Sequence, residues 1–288
     1  MPLILLETLT AVTRAMAPPN ILLVTKGHPF EKGPFFDLFD SLSVNYTHVE
    51  QPLAAAVLTP ALTAEYDCLV FYDMPGIDFK PGGPHYSEPS PTFKTNFLNL
   101  LEAGKGMVFL HHAIAGWPAW PEYGRIIGGR FRYTPTISNG NTFSDSGYRH
   151  HVTHTLQVVN DQHPVTRGLP EGFTMTDELY LFEVFEDEIE PLLTSDFTFT
   201  PDQFYSAAAV VERGEMNSNT DWLPPNGSDR VGWVKRYLNS PICYLQGGDD
   251  SVAWSNPHYR QLLLNAIHWA SSGGSLTDPA QPVVTNTV

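Results

Sequence analysis

The sequence predicts an α/β protein, a parallel sheet covered on both faces by helices, with added β structure in its second half. Three observations carry this reading. Residues 20–110 alternate short aliphatic or β-branched runs with helical patterns, as strand–helix–strand units do. Residues 151–159 alternate apolar and polar positions, with Val152, His154, Leu156 and Val158 on one face. No internal repeat is visible, and no low-complexity block divides the chain before Ser271-Ser272-Gly273-Gly274-Ser275. The organisation is therefore an N-terminal extension (1–19), one domain (20–270) and a flexible C-terminal tail (271–288).

In chain order, strands are predicted at 21–25, 44–49, 68–72 and 106–110. Between them, Phe35-Phe36-Asp37-Leu38-Phe39 and residues 93–101 space their apolar side chains by three and four, as helices do. Ser90 or Thr92 is placed to cap the second of these helices, and Gly104 to end it. The second half adds strands at 151–159, 179–184, 207–211, 231–234 and 242–245. A last helix over 257–270 carries Leu262, Leu263, Ala266, Ile267 and Trp269 toward the sheet.

Composition narrows the function. A net charge of −15 with only 16 lysines and arginines opposes a nucleic-acid surface, which needs clustered cations. No apolar run reaches the roughly 20 residues that span a bilayer, so no membrane partner is expected. Residues 2–17 end in Ala15-Met16-Ala17, which mimics a signal-peptidase site. No Lys or Arg precedes that stretch, and Glu7 and Arg14 interrupt it, so a cytoplasmic location is expected. Cys68 and Cys243 lie inside apolar runs, which opposes disulfides and thiolate-bound zinc. The glycine pairs Gly128-Gly129 and Gly247-Gly248 lack the spacing of a phosphate cradle, so no nucleotide cofactor is expected. The Gly-x-Ser-x-Gly elbow of serine hydrolases is also absent.

Ligands of open parallel sheets bind outside the carboxyl ends of the strands, and three strand ends here deliver polar groups. They are Lys26-Gly27-His28-Pro29-Phe30, Tyr72-Asp73-Met74-Pro75-Gly76 and Leu110-His111-His112-Ala113. Convergent titratable groups of this kind mark catalytic sites, which singles out His28, Asp73, His111 and His112. A second cluster, Arg149-His150-His151-Val152-Thr153-His154, brings His150 and His154 together either as a helix pair or on one face of a strand. A third, Thr176-Asp177-Glu178-Leu179-Tyr180, supplies carboxylates. Neutral histidines with one acid suit Zn, Mn, Fe or Ni, and His28, His112, His154 and Glu178 form the candidate metal set. For substrate, His28, Trp117, Trp120, Arg130 and Tyr180 are the candidates, since flat rings stack on sugar faces while polar groups bind hydroxyls.

These motifs, together with Ile127-Gly128-Gly129 and His163-Pro164-Val165-Thr166-Arg167-Gly168-Leu169, resemble the ThuA-like (trehalose utilisation) family from about residue 20 to 270. The resemblance implies a flavodoxin-like, class I glutamine amidotransferase-like fold. The elbow that holds the amidotransferase cysteine carries His111-His112 here, so glutamine hydrolysis is not expected. It further implies action on 3-keto glycosides or disaccharides supplied by a sugar 3-dehydrogenase, by elimination, hydrolysis or isomerisation. A ketone at C3 acidifies the C2 proton, so His111 or His112 is assigned as general base and Asp73 or Glu178 as its orienting acid. A non-catalytic carbohydrate-binding protein, and a metal-dependent hydrolase or isomerase acting on another small substrate, are the rival readings. A homo-oligomer is compatible with either.

Overall fold

Ile21, Leu22, Leu23 and Val24 are all buried, which a strand can achieve only between two covering layers, and Asn20–Lys26 is strand β1, one place in from an edge of the main sheet. The computed structural model describes residues 17–80, 83–138 and 140–276, so most of the N-terminal extension and residues 277–288 of the tail lie outside the described residues. The other strands of the main sheet are β2 (Asn45–Glu50), β3 (Cys68–Asp73), β4 (Gly106–Leu110), β5 (Gly147–Val158), β6 (Gly172–Leu181), β7 (Glu190–Ser195), β8 (Arg230–Tyr237) and β9 (Ser240–Leu245), and the short strand Tyr205–Ser206 also pairs with β5. Their spatial order is β6-β5-β7-β8-β9-β4-β3-β1-β2.

The run β2-β1-β3-β4-β9 is parallel throughout, which is the flavodoxin-like order. From β9 outward every pairing is antiparallel, and this is the added β structure of the second half. Helices α1 (Lys32–Ser41) and α6 (Pro257–Ser271) cover one face, where Phe35, Phe39, Leu263 and Ile267 meet Ile21, Leu23 and Val70. On the other face α2 (Pro91–Glu102) and α3 (Pro121–Ile127) bring Phe93, Phe97, Tyr123 and Ile126 onto Leu22, Leu69 and Phe109. The Ser90 hydroxyl caps α2 by accepting from the Phe93 N–H at 3.2 Å, a contact worth about 1 kcal/mol.

Two sequence expectations change. Residues 207–211 are not a strand but part of helix α4 (Ala207–Arg213), followed by α5 at Ser251–Ser255. Helix propensity of the alanines combines with a cap: Ser206 Oγ accepts from Ala209 N at 3.0 Å, and Gly214 closes the helix at φ 69°. β7 lies outside the predicted strands; it contains Pro191, and its pairing with β8 shifts register between Pro191 and Leu193. Cys68 and Cys243 are buried free thiols.

Candidate functional site

β4 runs out at Leu110 into a tight turn, His111–Ala115, in which every residue is buried. His111 sits at φ 45°, a left-handed conformation that turns its side chain off the strand direction, and its carbonyl accepts from the Tyr244 hydroxyl at 3.0 Å. Its ring is held at both ends. Nδ1 lies 2.7 Å from the carbonyl of Gln246, just past β9. Nε2 lies 3.1 Å from Glu178 Oε2 on β6, 3.2 Å from Asp249 Oδ1 and 2.8 Å from the Tyr180 hydroxyl. Burial alone would lower the pKa of this imidazole. The hydrogen bonds and charges of Asp249 and Glu178 outweigh it, so the ring is held well above its ordinary value. Asp249 responds in kind: burial pushes it up, but the bond and charge of His111 bring its carboxyl below the usual range.

His112 is equally buried and meets the opposite conditions. Neither ring nitrogen has a hydrogen-bond partner, and the ring packs 4.2 Å from Tyr72 and 4.9 Å from His28. Burial, reinforced by the charges of His28 and His111, drives its pKa well down. His28 is lowered in the same way, by burial first, and its Nδ1 is also unpartnered.

Asp249 belongs to a loop whose backbone is tied at each step. The carboxylate of buried Asp177 accepts from Gly248 N at 2.6 Å and Asp249 N at 3.0 Å, and also from Glu178 N at 2.9 Å. Burial raises this carboxyl to about 7 against the pull of His111 and those N–H groups. The carbonyls of Gly247, Gly248 and Asp249 accept from the Tyr259 hydroxyl, Trp254 Nε1 and the Tyr72 hydroxyl at 3.0, 2.9 and 3.0 Å. Gly248 is required here. It lies at φ 111°, and a Cβ would stand 2.2 Å from the Tyr259 oxygen.

Beside this cluster lies a cavity of about 150 Å³. His28, His150, Glu178 and Tyr180 line it, with Phe131, Tyr133, Val210 and Met216 among its apolar walls. His150 Nδ1 stands 3.2 Å from Glu178 Oε1, so the carboxylate bridges His111 behind and His150 in front. A larger cavity of about 540 Å³ around Arg132 and Glu183 contains none of these histidines.

Of the residues predicted from sequence, His28, Glu178 and Tyr180 line the cavity, His111 adjoins it, and His112 packs against His28. The others are elsewhere. Asp73 is bonded to Gln51 Nε2 at 2.7 Å and raised to about 7 by burial, and its hydrogen bonds reach none of the histidines. Trp120 is 6% exposed and packs on Phe93 and Phe97, while Trp117 lies against Phe93. Arg130 sits in a two-residue strand paired with Glu183.

His154 does not share a face with His150. A bulge between Arg149 and Val152, with His151 at φ 54°, reverses the alternation, so Tyr148 joins one core cluster and Val152 the other. His154 Nδ1 instead meets Ser195 Oγ at 2.7 Å, and burial lowers its pKa to about 4. His154 therefore stands apart from the other members of the candidate metal set, of which His28 and Glu178 line the cavity and His112 packs against His28. Among the described residues, the group whose ligand atoms converge is His111, Glu178 and Asp249, all within 4.8 Å of one another. Asp249 was legible in principle, since it follows the end of β9 at the same sheet edge as His111 follows β4.

A family model described as "ThuA: Trehalose utilisation" matches residues 23–270. Among solved structures, a ThuA-like protein from Parabacteroides merdae is similar at TM-score 0.61 and 20% identity, covering 89% of this chain and 91% of that one. A ThuA-like protein from Bacteroides uniformis gives 0.58 and 17%, covering 90% and 94%. A cytoplasmic protein from Salmonella typhimurium gives 0.53 and 11%, covering 87% and 98%. These likenesses show the fold. No curated protein matches the chain.

Proposed function

Because the chain belongs to the ThuA family, trehalose utilisation, we propose that it is an enzyme of sugar metabolism acting on a 3-keto glycoside or disaccharide. One observation carries the reading: a neutral imidazole, a carboxylate–imidazole pair and a phenol face one small cavity with aromatic walls. The apolar walls suit the face of a sugar ring and the polar groups its oxygens.

A carbonyl at C3 makes the C2–H bond acidic. His28, which lines the cavity and which burial keeps neutral, takes that proton. The electron pair left at C2 forms the C1=C2 double bond as the C1–O bond breaks, and the departing oxygen takes a proton from the His150–Glu178 pair. The Tyr180 hydroxyl, kept protonated by burial, meets the negative charge that builds on the C3 oxygen. A sugar 3-dehydrogenase supplies the ketone in the same pathway, in the cytoplasm. No described helix is long and apolar enough to cross a membrane. Glutamine hydrolysis is not part of the reading, because the elbow carries His111 and both thiols are buried within strands.

The test is release of free sugar from a 3-keto disaccharide by purified protein. His28→Ala and Glu178→Gln should each lower kcat by about 10² or more. Binding of the keto sugar with no product would instead mark a carbohydrate-binding protein, and turnover unchanged in both variants would remove these residues from the chemistry.

A further inference from the structure

The geometry points to a divalent transition-metal site formed by His111 Nε2, Glu178 and Asp249, beside the cavity that Glu178, His28 and His150 line. Nitrogen and oxygen ligands stand about 2.0 to 2.2 Å from Zn²⁺, so neighbouring ligand atoms around such an ion are about 3.0 Å apart at right angles and about 3.4 Å apart in a tetrahedron. The two edges that share Nε2 measure 3.1 and 3.2 Å. Both carboxylates thus already stand at coordination-shell spacing from the imidazole nitrogen, and the three ligand atoms lie within 4.8 Å of one another.

The surroundings prepare the same donors. The Gln246 carbonyl, 2.7 Å from Nδ1, accepts from Nδ1–H and fixes the tautomer whose lone pair is on Nε2, the usual outer contact of a ligating histidine. Asp177 binds the backbone N–H of both carboxylate ligands, Glu178 and Asp249, so one buried side chain sets the distance between them. Two carboxylates and a neutral imidazole carry a charge of −2, which a divalent ion neutralises and an imidazolium proton only halves. One imidazole and two carboxylates, with no thiolate, select Zn²⁺ or Mn²⁺ over Cu⁺, and the nitrogen donor disfavours Mg²⁺ and Ca²⁺.

Tag-free protein stripped with chelator and dialysed provides the test, by calorimetric titration with ZnCl₂ and MnCl₂ and elemental analysis after gel filtration. One equivalent should be retained by wild type and by the exposed-histidine control His85→Ala. It should be lost in His111→Ala and in Asp249→Asn, and affinity should fall about tenfold to a hundredfold in Asp177→Asn. Circular dichroism of each variant separates lost binding from lost folding. Co²⁺ added to wild type gives a visible absorption band that reports a nitrogen–oxygen shell without any variant. Absence of a stoichiometric ion and of the cobalt band in folded wild type would overturn the site, as would binding unchanged in folded His111→Ala and Asp249→Asn. Because every readout is binding, loss of the keto-sugar reading leaves this site standing, and loss of the site leaves that reading to be judged by sugar release.

Discussion

His111 and His112 are neighbours in the chain, equally buried, and electrostatic opposites. One is gripped by two carboxylates, a phenol and a carbonyl; the other touches rings and finds no partner for either nitrogen. Burial is common to both, so burial does not decide the charge of an imidazole in this fold. The partners decide it, and they come from the two halves of the sheet. Glu178 and Tyr180 belong to the antiparallel extension, whereas of the residues that surround His112, Tyr72 lies in parallel strand β3 and His28 follows parallel strand β1.

The sharpest way to break this contrast is to remove each ring in metal-free protein. His111→Ala leaves buried Glu178 and half-buried Asp249 without their shared cation and should cost about 3 kcal/mol in urea unfolding. His112→Leu removes a polar group that has no partner and should stay within about 1.5 kcal/mol of wild type. Equal losses would show that packing, not partners, separates the two.

The pH dependence comes next. His111 is raised in the folded state, so its stabilisation is complete below pH 6.5 and fades as pH rises through its folded value. His154 is lowered to about 4, so stability falls by roughly 3 kcal/mol as pH drops from 6.5 to about 4. Histidine ring resonances followed by NMR should show His154 neutral through that window and His111 protonated at pH 7. A His154 midpoint near 6.5 would contradict it.

Smaller effects sharpen the picture. Asp177→Asn keeps the shape of the side chain but replaces one acceptor with a donor facing a backbone N–H, and should cost about 1 to 3 kcal/mol. Ser90→Ala, at the cap of α2 and away from the elbow, should cost about 1 kcal/mol and leave the His111 resonance where it was.

The parallel half was legible because its strands are uniformly apolar and its polar groups follow them directly, which placed His28, His111 and His112 at one edge. The antiparallel half was not. A single bulge at Arg149–Val152 inverts every later side chain of β5, and nothing in the alternation of residues 151–159 announces it. The helix at Ala207–Arg213 depends on a cap outside the predicted segment, Ser206, so its valines read as a strand. For Asp249 the sequence offers its place after β9 but not its partner: its importance lies in its 3.2 Å approach to His111, 138 positions away in the chain.

Asp177 reaches amide hydrogens on two separate stretches of chain, one in β6 and one in the loop after β9. That makes it a gauge block. Thermal drift of either stretch drags the other along, so the separation of Glu178 and Asp249 is set by one carboxylate that belongs to neither.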